Sequence, residues 1–328
     1  MSKQVSYKVT NDNNAINDDK DIRTLVKEYV RTVTGAYSSN STRALLSDFE
    51  LFDVWCTNRD LVTVPSNDET VTQYVKHVTG RYKPATLRRH LSSIGHIHRA
   101  LGHEDPTKTH NVTLALRRAD RIMGTRQKQA RGITEDDVET IFNTLGSSLI
   151  DIRDRAVLLT ARDLMARRSE IVELQVNDVD FQKDGTAIAQ IRRSKTDPTG
   201  NGSTQWLSSD AADALSHWIM SSGIKSGPMF RSVRKGGRIG GALSPDDVSR
   251  RYKNMASRAG IDPVDISGHS TRVGMAQDLC ASGMELTELM VAGRWKSPKM
   301  PAKYAENLNA ARGAVAKYHR KINGRLAD

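Results

Sequence analysis

Between Ile22 and Val33, apolar residues recur at intervals of three and four (Ile22, Leu25, Val26, Tyr29, Val30, Val33), the spacing of one buried helical stripe. The stretch SNSTRALLSDFELFDVWC continues the pattern and places Leu45, Leu46, Phe49, Phe52 and Trp55 on the inner face of a second helix. After Pro84 comes ATLRRHLSSIGHIHRAL, with Leu87, Leu91, Ile94, Ile97 and Leu101 as its apolar stripe. Its outer face is then basic and hydroxyl-bearing: Arg88, Arg89, Ser92, His96 and Arg99.

The periodicity fails in MGTRQKQARGI, residues 123–133, a polar, basic run that reads as an extended linker. Thr134 reopens helical patterning, with Asp137 three residues on as a short-armed capping box. ITEDDVETIFNTL and IRDRAVLLTARDLMARRSEIVEL are expected as two helices. In TAIAQIRRSKT and STQWLS the period becomes two, as in short strands, and helices resume at Asp210. A chain of 328 residues exceeds the usual size of one core. The expected organisation is a disordered Asn- and Asp-rich tail (1–20), a helical bundle (21–125), a linker (126–133) and a mainly helical second domain with a small antiparallel sheet (134–328).

Charge sharpens this picture. Forty-nine Lys and Arg face 38 Asp and Glu, a formal +11 that favours a polyanionic partner, nucleic acid first. Most of the excess lies between Arg81 and Gly132, where twelve basic residues meet three acidic ones. No run approaches the roughly 18 apolar residues of a membrane span, and MSKQVSYKVTNDNN lacks the apolar core of a signal peptide. A cytoplasmic protein is expected. Cys56 and Cys280 lie in apolar helical patterns and read as reduced, buried thiols. His90, His96, His98, His103 and His110 have no regular ligand spacing and read as polar helix decoration; no metal is implied.

Four islands of chemistry-bearing residues occupy the second domain: ARRSEIVEL with Arg167 and Glu170, RRSKT with Lys195, GHSTRVG with His269 and Arg272, and GRWKSPKMPAKY with Trp295 and Tyr304. In order, spacing and flanking residues they resemble the active site of the tyrosine recombinases. TLRRHLSSIGHIHRALG, LALRRADR, DIRDRAVLLTA, SVRKGG and NLNAARGAV also have family counterparts, so the resemblance spans about residues 36–318. It implies a core-binding, SAM-like helical bundle and an α+β catalytic domain that together clamp a duplex. The implied nucleophile is Tyr304, since a phosphotyrosine ester can be reversed by a DNA hydroxyl. Arg167 and Arg272 would grip the nonbridging oxygens through charge-assisted bonds, and Lys195 would protonate the leaving 5′-hydroxyl. His269 would bond the phosphate and assist proton transfer, Trp295 would pack the pocket and donate its indole N–H, and Glu170 would buttress Arg167 or His269. Neither ATP nor metal is required. Tyr318 is the rival nucleophile, but the nine-residue step from Trp295 to Tyr304 fits the family.

The resemblance also implies DNA contacts from Arg43, Arg81, Lys83, Arg88, Arg89, Ser92, His96, Arg99, Arg117, Arg118, Arg121 and Lys128. LSPDDVSRRYKNMASRAG reads as a helix with Ser244 at N-cap and Pro245 at N1, and contributes Ser244, Asp246, Ser249 and Arg250. Where an arginine of the family reads a guanine, this chain has Asp246, which can accept from cytosine N4 but cannot grip guanine O6 and N7. Pro298 is expected at the first helical position before Tyr304, with Pro301 in the following turn. The tail, about 306–323, would be a helix donated to a neighbouring subunit, with Leu308, Ala311 and Val315 buried there. The implied assembly is a dimer on each inverted-repeat site and a tetramer on two. Cleavage and religation of the type IB topoisomerase kind, or a noncatalytic DNA-binding regulator, are the alternatives.

Overall fold

The computed structural model describes residues 19–126, 128–194, 197, 200–304, 306 and 313–325. The tail over 1–18 therefore lies outside the described residues, as do Lys195, Leu308 and Ala311. The chain divides into two compact units, Met1–Gln127 and Lys128–Asp328.

The first unit is a helical bundle of α1 (Asp19–Thr32), α2 (Ser39–Thr57), α3 (Asp68–Val78), α4 (Pro84–Ala100) and α5 (His110–Met123). Each helix from α2 on begins where the sequence provides a stop for its first N–H groups: Ser38 caps α2, Asn67 caps α3, Pro84 opens α4, and Thr109 caps α5. α3, which the hydrophobic spacing left unread, packs Tyr74 edge-on to Phe52 and Trp55 at 5.0 and 5.2 Å. Leu87, Leu91, Ile94 and Ile97 of α4 are buried as its stripe requires. Leu25 is not: it is 38% exposed, because α1 meets its neighbours through Val26 and the partly buried Ile22 and Tyr29.

Two histidines expected as decoration are instead interior. His98 is 1% exposed; its Nδ1 lies 2.8 Å from the Ile94 carbonyl, and its Nε2 accepts from the Ser66 backbone N–H at 3.0 Å. His90 is wholly buried, 3.0 Å from the Tyr74 hydroxyl and beside the buried Asp48. Burial holds both imidazoles below their ordinary pKa. Their helix is amphipathic, and each ring found a polar partner inside it.

The second unit opens with α6 (Glu135–Phe142) and α7 (Leu149–Asp163), followed by α8 (Arg168–Glu173). The chain over 152–174 is thus two helices where one was expected. Met165 turns into the left-handed region at φ +43, and α8 restarts with Glu170 accepting from the Arg167 backbone N–H at 3.0 Å. Strands β1 (Val179–Phe181), β2 (Ala187–Ile191) and β3 (Ser203–Leu207) form an antiparallel sheet with Val179 opposite Ala189 and Ala189 opposite Gln205. Ala187, Ala189, Ile191 and Leu207 face the core. After α9 (Ser209–Ser222), a hairpin of β4 (Arg231–Val233) and β5 (Ile239–Ala242) precedes α10 (Pro245–Arg258). α11 (Ser270–Ala281), α12 (Leu286–Ala292), α13 (Lys299–Tyr304) and α14 (Ala314–Arg325) complete the unit.

Its core centres on α7 against α9, with Val157, Leu158, Ala161, Leu215 and Trp218 fully buried and the Trp218 indole N–H bonded to the Met229 carbonyl at 2.8 Å. Cys56 and Cys280 are buried thiols. The segment entering the unit is stapled to α11. Arg131 N–H donates to the Asp265 carbonyl at 3.0 Å, and Ile133 N–H to the Ser270 carbonyl at 2.9 Å. Gly274 lies so close that a Cβ there would run into the Ile133 backbone. The buried Arg162 guanidinium gathers the Ile133 carbonyl, Glu135 at 2.7 Å and Asp278 at 2.8 Å. Among the described residues no helix is long and apolar enough to cross a membrane.

Candidate active site

Four separate stretches bring their side chains to one place in the second unit. Arg167 stands at the break before α8, Arg272 in the first turn of α11, Trp295 in the turn after α12, and Tyr304 at the end of α13. Each position has a local cause. The left-handed turn at Met165 stops α7 and aims its carbonyl at Arg272, which donates to it at 2.5 Å and, through its other terminal nitrogen, to the Gly293 carbonyl. Gly293 has room for no side chain, because a Cβ would enter the Trp295 ring. That ring packs against the Arg272 guanidinium at 4.4 Å and meets Tyr304 edge-on at 5.7 Å.

Pro298 precedes α13 rather than opening it. Its carbonyl accepts from Ala302 N–H at 3.0 Å, and Pro301, buried in the first turn, occupies a position whose N–H has no intrahelical partner in any case. Two prolines therefore shape the short helix without breaking a bond of it.

The electrostatics are those of an anion site. Arg272 is 2% exposed; burial, with Arg167 and Arg294 as neighbours, pushes its pKa down to about 10. Arg167 is paired with Glu170 at 2.6 Å. The half-buried Tyr304 phenol is raised by burial, while Arg272 and Arg167 pull it back towards its ionised form. One carboxylate thus serves several guanidiniums, leaving the pocket with unbalanced positive charge beside a phenol.

Not every expected residue joins this group in the same way. His269 stands at the N-cap of α11, exposed, one turn before Arg272, and its backbone N–H donates to Ser267 Oγ at 3.2 Å. Lys195, expected between β2 and β3, lies outside the described residues. Tyr318 is 61% exposed on α14, in ring contact with His319. The residue that sequence reasoning missed is Arg294, whose guanidinium donates to Glu170 at 2.6 Å. Its only signal was a basic residue wedged between Gly293 and Trp295.

The expected DNA-contacting residues divide between the two units. On α4, Arg88, Arg89, Ser92 and Arg99 are exposed in one row. Arg88 pairs with Asp120, Arg99 with Asp105, and Arg89 forks onto the buried Asp48 at 2.8 and 3.0 Å. Pairs at the surface such as those of Arg88 and Arg99 are worth about 0–1 kcal/mol and leave their guanidiniums open to exchange for another anion, whereas the buried Asp48 holds Arg89. His96 is half-buried under Tyr29, which it meets at 2.6 Å, and lies inside the row rather than on it. Arg81 lies 3.1 Å from His77, Arg43 donates to Asn40 at 3.3 Å, and Lys83, Arg117, Arg118 and Arg121 are exposed.

In the second unit Lys128 pairs with Asp265 at 2.7 Å. At the start of α10, Ser244 and Asp247 cap each other's N–H groups, Arg250 pairs with Asp247, and Asp246 accepts from Arg168 at 2.6 Å. Arg168 also lies 3.3 Å from Ser249 Oγ. Asp246 therefore presents an acceptor that already has a cation beside it.

A helical unit is thus followed by a mixed unit that gathers arginines, an indole and a phenol in one positively charged pocket. The profile of the phage integrase family matches residues 131–310, more than half of the chain. This chain belongs to that family, the tyrosine recombinases, enzymes that cleave and rejoin DNA. It is 27% identical over 302 residues to the recombinase cre of Escherichia phage P1, covering 86% of this chain and 88% of that protein. It is 28% identical over 295 residues to the integrase/recombinase xerD homolog of Selenomonas ruminantium, covering 85% of each. Among solved structures, the fold matches XerH site-specific recombinase in a post-cleavage complex with palindromic difH substrate (TM-score 0.63, 14% identity, 92% of this chain and 98% of that one). A lambda integrase(75–356) dimer bound to a COC' core site matches with a TM-score of 0.58 at 16% identity, covering 86% of this chain and 94% of that one.

Proposed function

We propose that the chain is a site-specific recombinase of the type IB class, acting in the cytoplasm on inverted-repeat, lox-like DNA sites, with Tyr304 as nucleophile. The phenol oxygen attacks the scissile phosphorus as its proton leaves, and His269 assists that transfer. The bond from phosphorus to the 5′-oxygen breaks, and Lys195 protonates the departing oxygen. A 3′-phosphotyrosine and a free 5′-hydroxyl result. Attack by a partner strand's 5′-hydroxyl reverses the step, and two rounds pass through a Holliday junction.

Arg167 and Arg272 hold the nonbridging oxygens, where preorganised cations in a water-poor pocket act most strongly. Trp295 positions Tyr304 and donates to the phosphate, and Glu170 orients Arg167. The outer row of α4, the basic residues of α5 and Lys128 follow the backbone, so binding falls steeply with salt. Ser244, Asp246, Ser249 and Arg250 meet the major groove, with Asp246 favouring a site other than one read there by an arginine. Two protomers occupy one site and four join two sites. α14, with Val315 74% exposed and Tyr318 61% exposed, is the segment exchanged between neighbours.

The observation that carries the reading is the meeting of Arg167, Arg272 and Trp295 around Tyr304, whose phenol feels both guanidiniums. The test uses a nicked duplex carrying an inverted repeat recovered by selection from random-sequence DNA. Wild type is expected to leave a denaturation-resistant adduct and Tyr304→Phe none; equal adduct from both would refute the assignment. Adduct without exchange between two duplexes would favour the topoisomerase alternative.

A further inference from the structure

Arg294 has an unusual setting for an arginine. Its backbone lies in the left-handed region at φ +53, costly for any residue with a Cβ and natural for glycine. Its side chain is only 11% exposed, and its Nε and Nη1 are buried without a hydrogen-bond partner among the described residues. Burial pulls its guanidinium below the ordinary range, against the attraction of Glu170. Backbone conformation and desolvation both oppose an arginine here, so stability of the fold does not explain it.

The bond its side chain makes to Glu170 explains it better. Nη2 donates to Glu170 Oε2 at 2.6 Å, while Glu170 Oε1 takes Arg167 Nη1 at 2.6 Å and Oε2 also takes the Arg167 backbone N–H at 3.0 Å. Glu170, 4% exposed, is held from two sides and cannot swing away from Arg167. The residues either side of Arg294 reach the rest of the site: the Gly293 carbonyl takes Arg272, and the Trp295 ring lies against Arg272 and Tyr304. Three consecutive residues thus touch Arg272, Tyr304 and Glu170 directly, and Arg167 through Glu170.

We infer that Arg294 is a positioning residue for strand cleavage, acting on the scissile phosphate through Glu170 and Arg167 while adding a third positive charge to the pocket. The inference rests on the reading of Tyr304 as nucleophile. A carboxylate that bridges two guanidiniums neutralises neither fully, so Arg167 keeps donor capacity for an oxyanion while its orientation is fixed. Removing Arg294 frees Glu170 to fork onto Arg167 and occupy the donors that the phosphate needs.

The discriminating variant is Arg294→Gly, because glycine suits the backbone and relieves the desolvated charge. Its melting temperature is expected to equal or exceed wild type, while single-turnover formation of the Tyr304 adduct on the selected nicked duplex slows about 10- to 100-fold, the scale of a misplaced reacting group. Millimolar guanidinium should restore part of that rate and urea none, and Arg294→Lys should fall between glycine and wild type. In a Glu170→Gln background, Arg294→Gly should cost little more. Wild-type cleavage by Arg294→Gly, a lowered melting temperature with no guanidinium rescue, or an undiminished effect in the Glu170→Gln background would each overturn the inference. Adduct formation by Tyr304→Phe, run in parallel, would overturn the underlying reading instead.

Discussion

Arg272 is a cation kept where a cation is expensive, and replacing it by methionine separates catalysis from folding. Its guanidinium is 2% exposed and is pushed down to about 10, chiefly by burial, a cost of roughly 3 kcal/mol at neutral pH. Arg272→Met removes that cost. It also deprives the Met165 and Gly293 carbonyls of their donor, each loss costing about 1–3 kcal/mol. Together the two losses come to about 2–6 kcal/mol against the roughly 3 recovered, a net between about 1 kcal/mol gained and about 3 kcal/mol lost, so the melting temperature should stay within roughly 12 °C of wild type. Cleavage should not be spared: loss of a preorganised donor to the transition-state charge lowers the rate by about 10²–10³ or more. Because the side chain is buried, duplex affinity measured by fluorescence anisotropy should remain close to wild type. The paired assay is single-turnover adduct formation on a nicked duplex. Cleavage within tenfold of wild type, or loss of affinity in step with loss of cleavage, would refute the assignment of Arg272 to the phosphate.

Gly274→Ala would drive a Cβ into the Ile133 backbone, so either the Ile133–Ser270 hydrogen bond opens or α11 shifts and carries Arg272 with it. A loss of about 1–3 kcal/mol in a melting experiment and slower cleavage are expected. In the first unit, His98 binds fewer protons folded than unfolded, since burial holds its pKa down and Nε2 already accepts from Ser66. Its stabilising contribution is present above pH ~6.5 and is lost as pH falls through that value. Thermal melts should show a falling midpoint between pH 7 and 5, with a shallower fall in His98→Gln; identical slopes would count against the account. Tyr318→Phe should leave the covalent adduct intact, because Tyr318 lies exposed on α14 while the phenol that meets Trp295 is that of Tyr304.

The elements that were readable are those whose side chains alone decide them. The α4 stripe of Leu87, Leu91, Ile94 and Ile97 is buried, and the Ser244–Pro245 start of α10 is in place. What escaped is carried by the backbone. DLMARRSE has neither glycine nor proline to announce the break before α8, and the turn at Met165 follows from tertiary packing. The carbonyls of Met165 and Gly293, which hold Arg272, leave no trace in residue identity. The buried state of His90 and His98 depended on partners distant in sequence, Tyr74 and Ser66. Arg294 was visible as a letter, but its meaning depends on Glu170, 124 positions earlier.

The staple between residues 131–133 and α11 has a mechanical consequence. The segment by which the chain enters its second unit is bonded to Asp265 and Ser270, and through Arg162 to Asp278, where Ile133 enters the core. Load pulled along residues 128–133 is therefore delivered to the turn and helix that carry His269 and Arg272, only two residues from Arg272 at Ser270. The entry segment is a tether tied at once to the helix of Arg272 and, through Arg162, to α7.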